Sequence, residues 1–77
     1  YNINILIEGH TDSIGNSKSN LILSKNRAQT VYDYLISKSV KNDQISFRGF
    51  GDKMPISSNN TELERSLNRR TSFRVVD

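Results

Sequence analysis

The sequence predicts an α/β domain (an α+β sandwich): a small mixed sheet with helices packed on one face, in the order β-α-β-α-β. Two patterns and a length carry this expectation. Apolar residues recur at period two near the start, in the middle and at the end of the chain, and helical spacing lies between them. At 77 residues the chain has room for one domain.

Residues 2–8 place Ile3, Ile5 and Ile7 on one face, as a strand with one buried side does. Residues 9–16 are rich in turn formers and read as a loop. From Ser17 to Lys38 the spacing turns helical. Leu21, Ala28, Val31 and Leu35 fall within about 80° of one another around the axis. Ser17 or Ser19 is the expected cap, and Lys38 suits the C-terminal end of the dipole. Gln44–Arg48 is a second short strand, with Ile45 and Phe47 on one side. Gly49, Gly51 and Pro55 punctuate a loop that runs to Asn60. Thr61-Glu62-Leu63-Glu64 is a capping box, so a second helix is expected from Thr61, with Leu63 and Leu67 as its apolar stripe. Thr71–Val76 is the last strand, with Thr71, Phe73 and Val75 on one face. Right-handed crossovers would set both helices on the same side of the sheet and leave the other side open or covered from outside the chain.

Composition narrows the function. Hydrophobic residues are only 34% of the chain, a lean supply for a core. The absence of cysteine excludes a thiolate nucleophile, a cysteine zinc site and a CxxC redox pair, and His10 is the sole histidine. No cofactor or metal is implied. The formal charge of +3 suits an anionic partner without identifying one. The longest apolar run, Ile5–Leu6–Ile7, is far short of the ~20 residues that span a bilayer, so no membrane contact is expected of the domain itself.

One region departs from simple packing. Asn20, Ser24 and Arg27 lie within about 60° of one another, at the edge of the apolar sector of the long helix. Thr11 and Asp12 stand just before that helix, beyond the carboxyl end of the first strand, where α/β folds commonly bind ligands. A carboxylate and a guanidinium would then face one another across a polar pocket. The plainer alternative makes Asp12 an Asx turn or helix cap and pairs Arg27 with Asp12 or Asp33. His10 has no second ligand or nucleophile at useful spacing, so it is expected to hydrogen-bond the loop backbone.

Two other function classes compete. Arg48-Gly49-Phe50-Gly51 matches the opening of the aromatic element of RNA-recognition motifs, which makes an RNA-binding module the alternative reading. The match stops at Asp52, Lys53 and Pro55. An exposed pair of stacking phenylalanines on the sheet would be needed to sustain it. A hydrolase would need a metal triad, a serine with a histidine base or paired carboxylates, none of which the sequence assembles. The chain is therefore expected not to be an enzyme.

Glu8-Gly9-His10-Thr11-Asp12, then Gly15, Asn20, Leu23-Ser24, Arg27-Ala28, Val31 and Leu35, resemble the signature of the OmpA-like peptidoglycan-binding domain. The likeness continues through Gly49, Gly51, Pro55, Asn59, Thr61, Arg65 and Asn68-Arg69-Arg70. It implies that residues 1–77 form the C-terminal two thirds of such a domain, lacking its first strand and helix. It also implies non-catalytic binding of the peptidoglycan stem peptide at its diaminopimelate residue, with no nucleic-acid partner. Asp12 would accept from the ligand ammonium and Arg27 would grip its carboxylate. Thr11, Asn20, Leu23 and Ser24 would line the pocket, with Arg70 or Arg69 approaching from the Asn-Arg-Arg segment. The place implied is the periplasm, attached to an outer-membrane or other envelope protein. Departures from the family pattern include Ser39 for a usual helix-end glycine, Glu64 for a glycine and Thr71 for a valine.

Overall fold

The computed structural model describes residues 3–76, so the expected first strand residue Asn2 lies outside the described residues. The elements are β1 (Asn4–Gly9), α1 (Ser17–Ser37), β2 (Ile45–Gly49), α2 (Glu62–Asn68) and β3 (Thr71–Val76). The sheet order is β2-β1-β3, with β1 parallel to β2 and antiparallel to β3. The mixed sheet and the β-α-β-α-β order are those the sequence predicts.

Packing of α1 follows from glycines. An added Cβ at Gly9 would stand 1.9 Å from the Ser24 carbonyl oxygen, and one at Gly49 2.4 Å from the Lys25 nitrogen. The helix backbone thus rests directly on the carboxyl ends of β1 and β2. Only small or hydrogen-bonded side chains fit that seam, and Asn20, Ser24 and Ala28 are the buried residues of α1. Leu21, expected on the buried face, is half exposed instead. Val31 and Leu35 are partly buried, and Phe47 meets Tyr32 at 5.0 Å between ring centroids. Ile7, fully buried on the central strand, anchors the small apolar core with Ala28 and Ile45.

The ends of the helices explain their lengths. Asn16 caps α1, one residue before Ser17 and three before Ser19, the caps expected, its Oδ1 accepting from Lys18 N (2.8 Å) and Ser19 N (3.2 Å). At the other end Val40 N donates to Leu35 O and Ser39 N to Ile36 O, a Schellman closure. This closure places Ser39 at φ 73, in the left-handed region where a Cβ is penalised. Ser39→Gly is expected to stabilise the fold by about 0.5–1 kcal/mol and raise Tm by roughly 3–6 °C. A melting curve checks this, and an unchanged or lower Tm refutes it. Thr61 caps α2 by accepting from Glu64 N, while its hydroxyl donates to Glu64 Oε1.

The two faces of the sheet differ. On the α1 side, Phe73 and Val75 of β3 pair with Ile7 and Ile5 yet stay exposed. The opposite side is polar: Glu8 Oε2 lies 2.6 Å from Arg74 Nη2. His10 stacks on Phe50 (5.4 Å, 11°), with the Arg48 guanidinium 5.1 Å from the same ring.

Candidate functional site

Beyond Gly9 the chain runs on extended, threaded between two neighbours. His10 N donates to Arg70 O and Thr11 N to Gly51 O, both at 2.9 Å, and Phe50 N donates to Gly9 O. These bonds fix the backbone from which Thr11 and Asp12 project. Asp12 then turns the chain: its Oδ1 accepts from Ile14 N (3.0 Å) as an Asx turn. Thr11 Oγ1 donates to Asp12 O, and Asn20 Nδ2 donates to Ile14 O and Asp12 O, so the first turn of α1 is tied to this loop.

The result is a cleft of about 440 Å³ at the carboxyl end of β1, between the start of α1 and the exposed side of α2. Of the residues named from sequence, Thr11, Asp12, Asn20, Leu23 and Arg27 line it. Ser24 does not. It is fully buried, donating to Leu21 O and accepting from Gly51 N (both 2.8 Å), because the backbones of α1 and the Gly49–Gly51 turn meet there. Arg70 also faces elsewhere, donating from Nη2 to Met54 O and from Nη1 to Asn68 O. Its neighbour Arg69, the C-cap of α2, reaches the cleft instead.

With Arg69 come two lining residues of α2 that had been given no place in the pocket, Glu62 and Arg65. Their i, i+3, i+7 spacing is the signal in the sequence that could have found them, since it puts all three on one helix face. Arg69 bridges two acids: Nη1 donates to Asp12 Oδ2 at 2.7 Å, and Nη2 pairs with Glu62 Oε1. Arg65 lies 3.4 Å from Glu62 Oε2 and donates to Asn59 O. Arg27 does not touch Asp12 or Asp33 in the hydrogen bonds it makes; its Nη1 donates to His10 O at 2.8 Å.

Electrostatics follow from these contacts. Burial pushes the Asp12 pKa up, but the Arg69 hydrogen bond, the Ile14 N–H and the Arg69 and Arg65 charges outweigh it and hold the carboxyl below its ordinary value. The Arg69 hydrogen bond lowers Glu62 likewise, and the two acids raise Arg69. Three guanidiniums against two carboxylates leave the lining with one surplus positive charge. Such a surface can hold a zwitterionic or anionic ligand through charge-assisted hydrogen bonds.

Beneath this loop His10 is almost fully buried, and its side-chain nitrogens find no hydrogen-bond partner among the described residues. The expected bond from the ring to the loop backbone is absent: the ring is fixed by stacking, and the backbone groups of His10 do the bonding. Glu8 Oε1 lies 3.7 Å from Nε2. Burial pushes the His10 pKa down, Arg70 adds to this, and Glu8 opposes it. The aromatic pair that an RNA-binding sheet requires is not presented, because Phe47 packs on Tyr32 and Phe50 on His10. Among the described residues no group of three or more His, Asp or Glu side chains could hold a metal ion. No helix among them is long and apolar enough to cross a membrane.

Comparison with known proteins agrees with this architecture. The peptidoglycan-associated lipoprotein of Buchnera aphidicola subsp. Baizongia pistaciae is 46% identical over 70 residues, covering 91% of this chain and 40% of the relative. Outer membrane protein A of Bordetella avium is 42% identical over 72 residues, covering 94% and 37%. The chain thus spans about two fifths of these curated relatives. The crystal structure of the peptidoglycan-associated lipoprotein from Burkholderia pseudomallei superposes with a TM-score of 0.92 at 31% identity, over 96% of this chain and 63% of that one. The C-terminal domain of Helicobacter pylori MotB gives 0.90 at 32% identity, over 97% and 58%. The sequence profile of the OmpA family matches residues 1–69, nearly the whole chain. With its fold and its relatives in agreement, the chain belongs to the OmpA family.

Proposed function

We propose that this chain is a non-catalytic binding module for peptidoglycan, gripping the diaminopimelate residue of the stem peptide. In doing so it anchors the envelope protein that carries it, on the periplasmic side, to the cell wall. The observation that carries the reading is that Asp12 and Arg27 line the same cleft. Diaminopimelate presents an ammonium and a carboxylate on one carbon. Asp12 accepts from the ammonium. Arg27, whose Nη1 is engaged by the His10 carbonyl, offers its Nη2 edge to the carboxylate. Leu23 covers the aliphatic part of the ligand, and Thr11 and Asn20 keep the loop in shape. Relatives named for their association with peptidoglycan support the same ligand class.

Titration calorimetry of the full chain tests this with three defined peptides. The first is L-Ala-γ-D-Glu-meso-diaminopimelate. The second carries lysine, which lacks the terminal carboxylate, and the third carries 2-aminopimelate, which lacks the terminal ammonium. Each analogue is expected to bind about tenfold or more weakly than the first. Equal binding of all three would overturn diaminopimelate recognition, and failure to be retained on purified sacculi would overturn the wall-binding reading altogether.

A further inference from the structure

The Asp12 carboxylate is already engaged from inside the protein. Its Oδ2 accepts from Arg69 Nη1 at 2.7 Å, so a tethered guanidinium stands where a ligand cation would have to come. Arg69 does not belong to Asp12 alone. Its other terminal nitrogen, Nη2, is held by Glu62 across one face of α2, and Glu62 is itself steadied by Arg65 at 3.4 Å. The two acids therefore compete for one cation through different nitrogens, and Nη1 can leave Asp12 while Nη2 stays on Glu62.

Resting on the reading of the cleft given above, we propose that Glu62 is a positioning residue that keeps hold of Arg69 when the ammonium of the ligand takes its place on Asp12. With Glu62 present, the ligand ammonium replaces one hydrogen bond of Arg69, and the guanidinium keeps a charged partner. Without it, Arg69 closes wholly on Asp12 and must be expelled unpaired. Because Glu62 is 68% exposed, solvent screens the effect, which is set at about two- to five-fold in affinity.

The test titrates the full chain, as wild type, Glu62→Gln, Arg69→Gln and the double variant. The probes are the diaminopimelate tripeptide and its 2-aminopimelate analogue. Thermal melts confirm that each variant is folded. Glu62→Gln is expected to weaken the tripeptide by about two- to five-fold and to leave the ammonium-free analogue unchanged. In the Arg69→Gln background the same substitution is expected to change nothing further, since its effect passes through Arg69. An unchanged tripeptide affinity in Glu62→Gln overturns the proposal, as does a loss that persists in full without Arg69. If wild type itself fails to bind the tripeptide, the stem-peptide reading falls and this inference falls with it. If wild type binds and Glu62→Gln has no effect, only the role of Glu62 is lost.

Discussion

Arg27→Ala and Asp12→Ala are each expected to abolish pull-down of the full chain by purified sacculi while leaving a folded protein. Removing one member of a desolvated charged pair leaves its ligand counterpart unmatched, which costs about 2–5 kcal/mol, or thirty-fold and more in affinity. For Asp12 the outcome separates charge from shape. Asp12→Asn keeps an oxygen to accept from Ile14 N, so the Asx turn survives, yet the charge that attracts an ammonium is gone. Arg27→Lys is expected to fail as well, because an ammonium cannot supply the parallel donors of a guanidinium edge. Pull-down undiminished in both alanine variants would remove this pair from the mechanism. Circular dichroism of the same samples shows whether loss of binding is loss of fold.

Gly9→Ala is expected to leave little folded chain. The new methyl would lie 1.9 Å from Ser24 O, 2.8 Å from Ser24 C and 3.2 Å from Ala28 N. All three are helix backbone, so no side chain can turn aside. Overpacking of this kind costs roughly 3 kcal/mol or more, a large part of the about 5 kcal/mol a small domain has in hand. Gly15→Ala is the control: Gly15, unlike Gly9, holds a positive φ of 92, but none of the described residues stands within 4 Å of its added methyl. Its cost should be limited to the backbone preference, about 1 kcal/mol. Urea unfolding of the pair decides the matter. Equal midpoints for the two variants would mean that α1 does not sit as close to β1 as described.

Much of this was legible in the sequence, and what was missed has definite causes. Alternation revealed the strands, and the Thr61 box marked the start of α2. Thr11 and Asp12, placed past a strand end, do line a cleft, and Asp12 also makes the Asx turn of the plainer reading. Amphipathic spacing misjudged the inner face of α1. It weighs side chains by hydrophobicity, whereas contact with Gly9 and Gly49 selects them by size and by the bonds they can make. Hence Ser24 is buried and Leu21 half exposed. The choice between Arg69 and Arg70 turned on where α2 ends. Arg69 as its C-cap keeps to the face of Glu62 and Arg65, and the next residue is aimed at the 53–55 turn. In the sequence Asn68 is marked only by its place in the Asn-Arg-Arg element. Its amide is fully buried and meets Ile56 N, Ser57 N, Ser57 O and Asn59 Oδ1, which fastens the loop before α2. An asparagine in a helix gives no advance notice of such a role.

The position of β1 at the centre of the sheet has a temporal meaning. Its antiparallel partner is β3, so Asn4 must wait for Val76 and Gly9 for Thr71. The bond from Arg69 to Asp12 likewise closes across 57 residues of sequence. Contacts that join distant parts of a chain form late, because the loop between them must first be ordered. A chain interrupted within α2, after Glu62 and before Arg69, would contain the whole of α1 and both carboxylates of the cleft, yet would have neither the third strand nor the guanidinium that spans them. The extended segment that leads to Asp12, bonded at His10 N to Arg70 O, therefore takes its final form only once the segment entering β3 is in place.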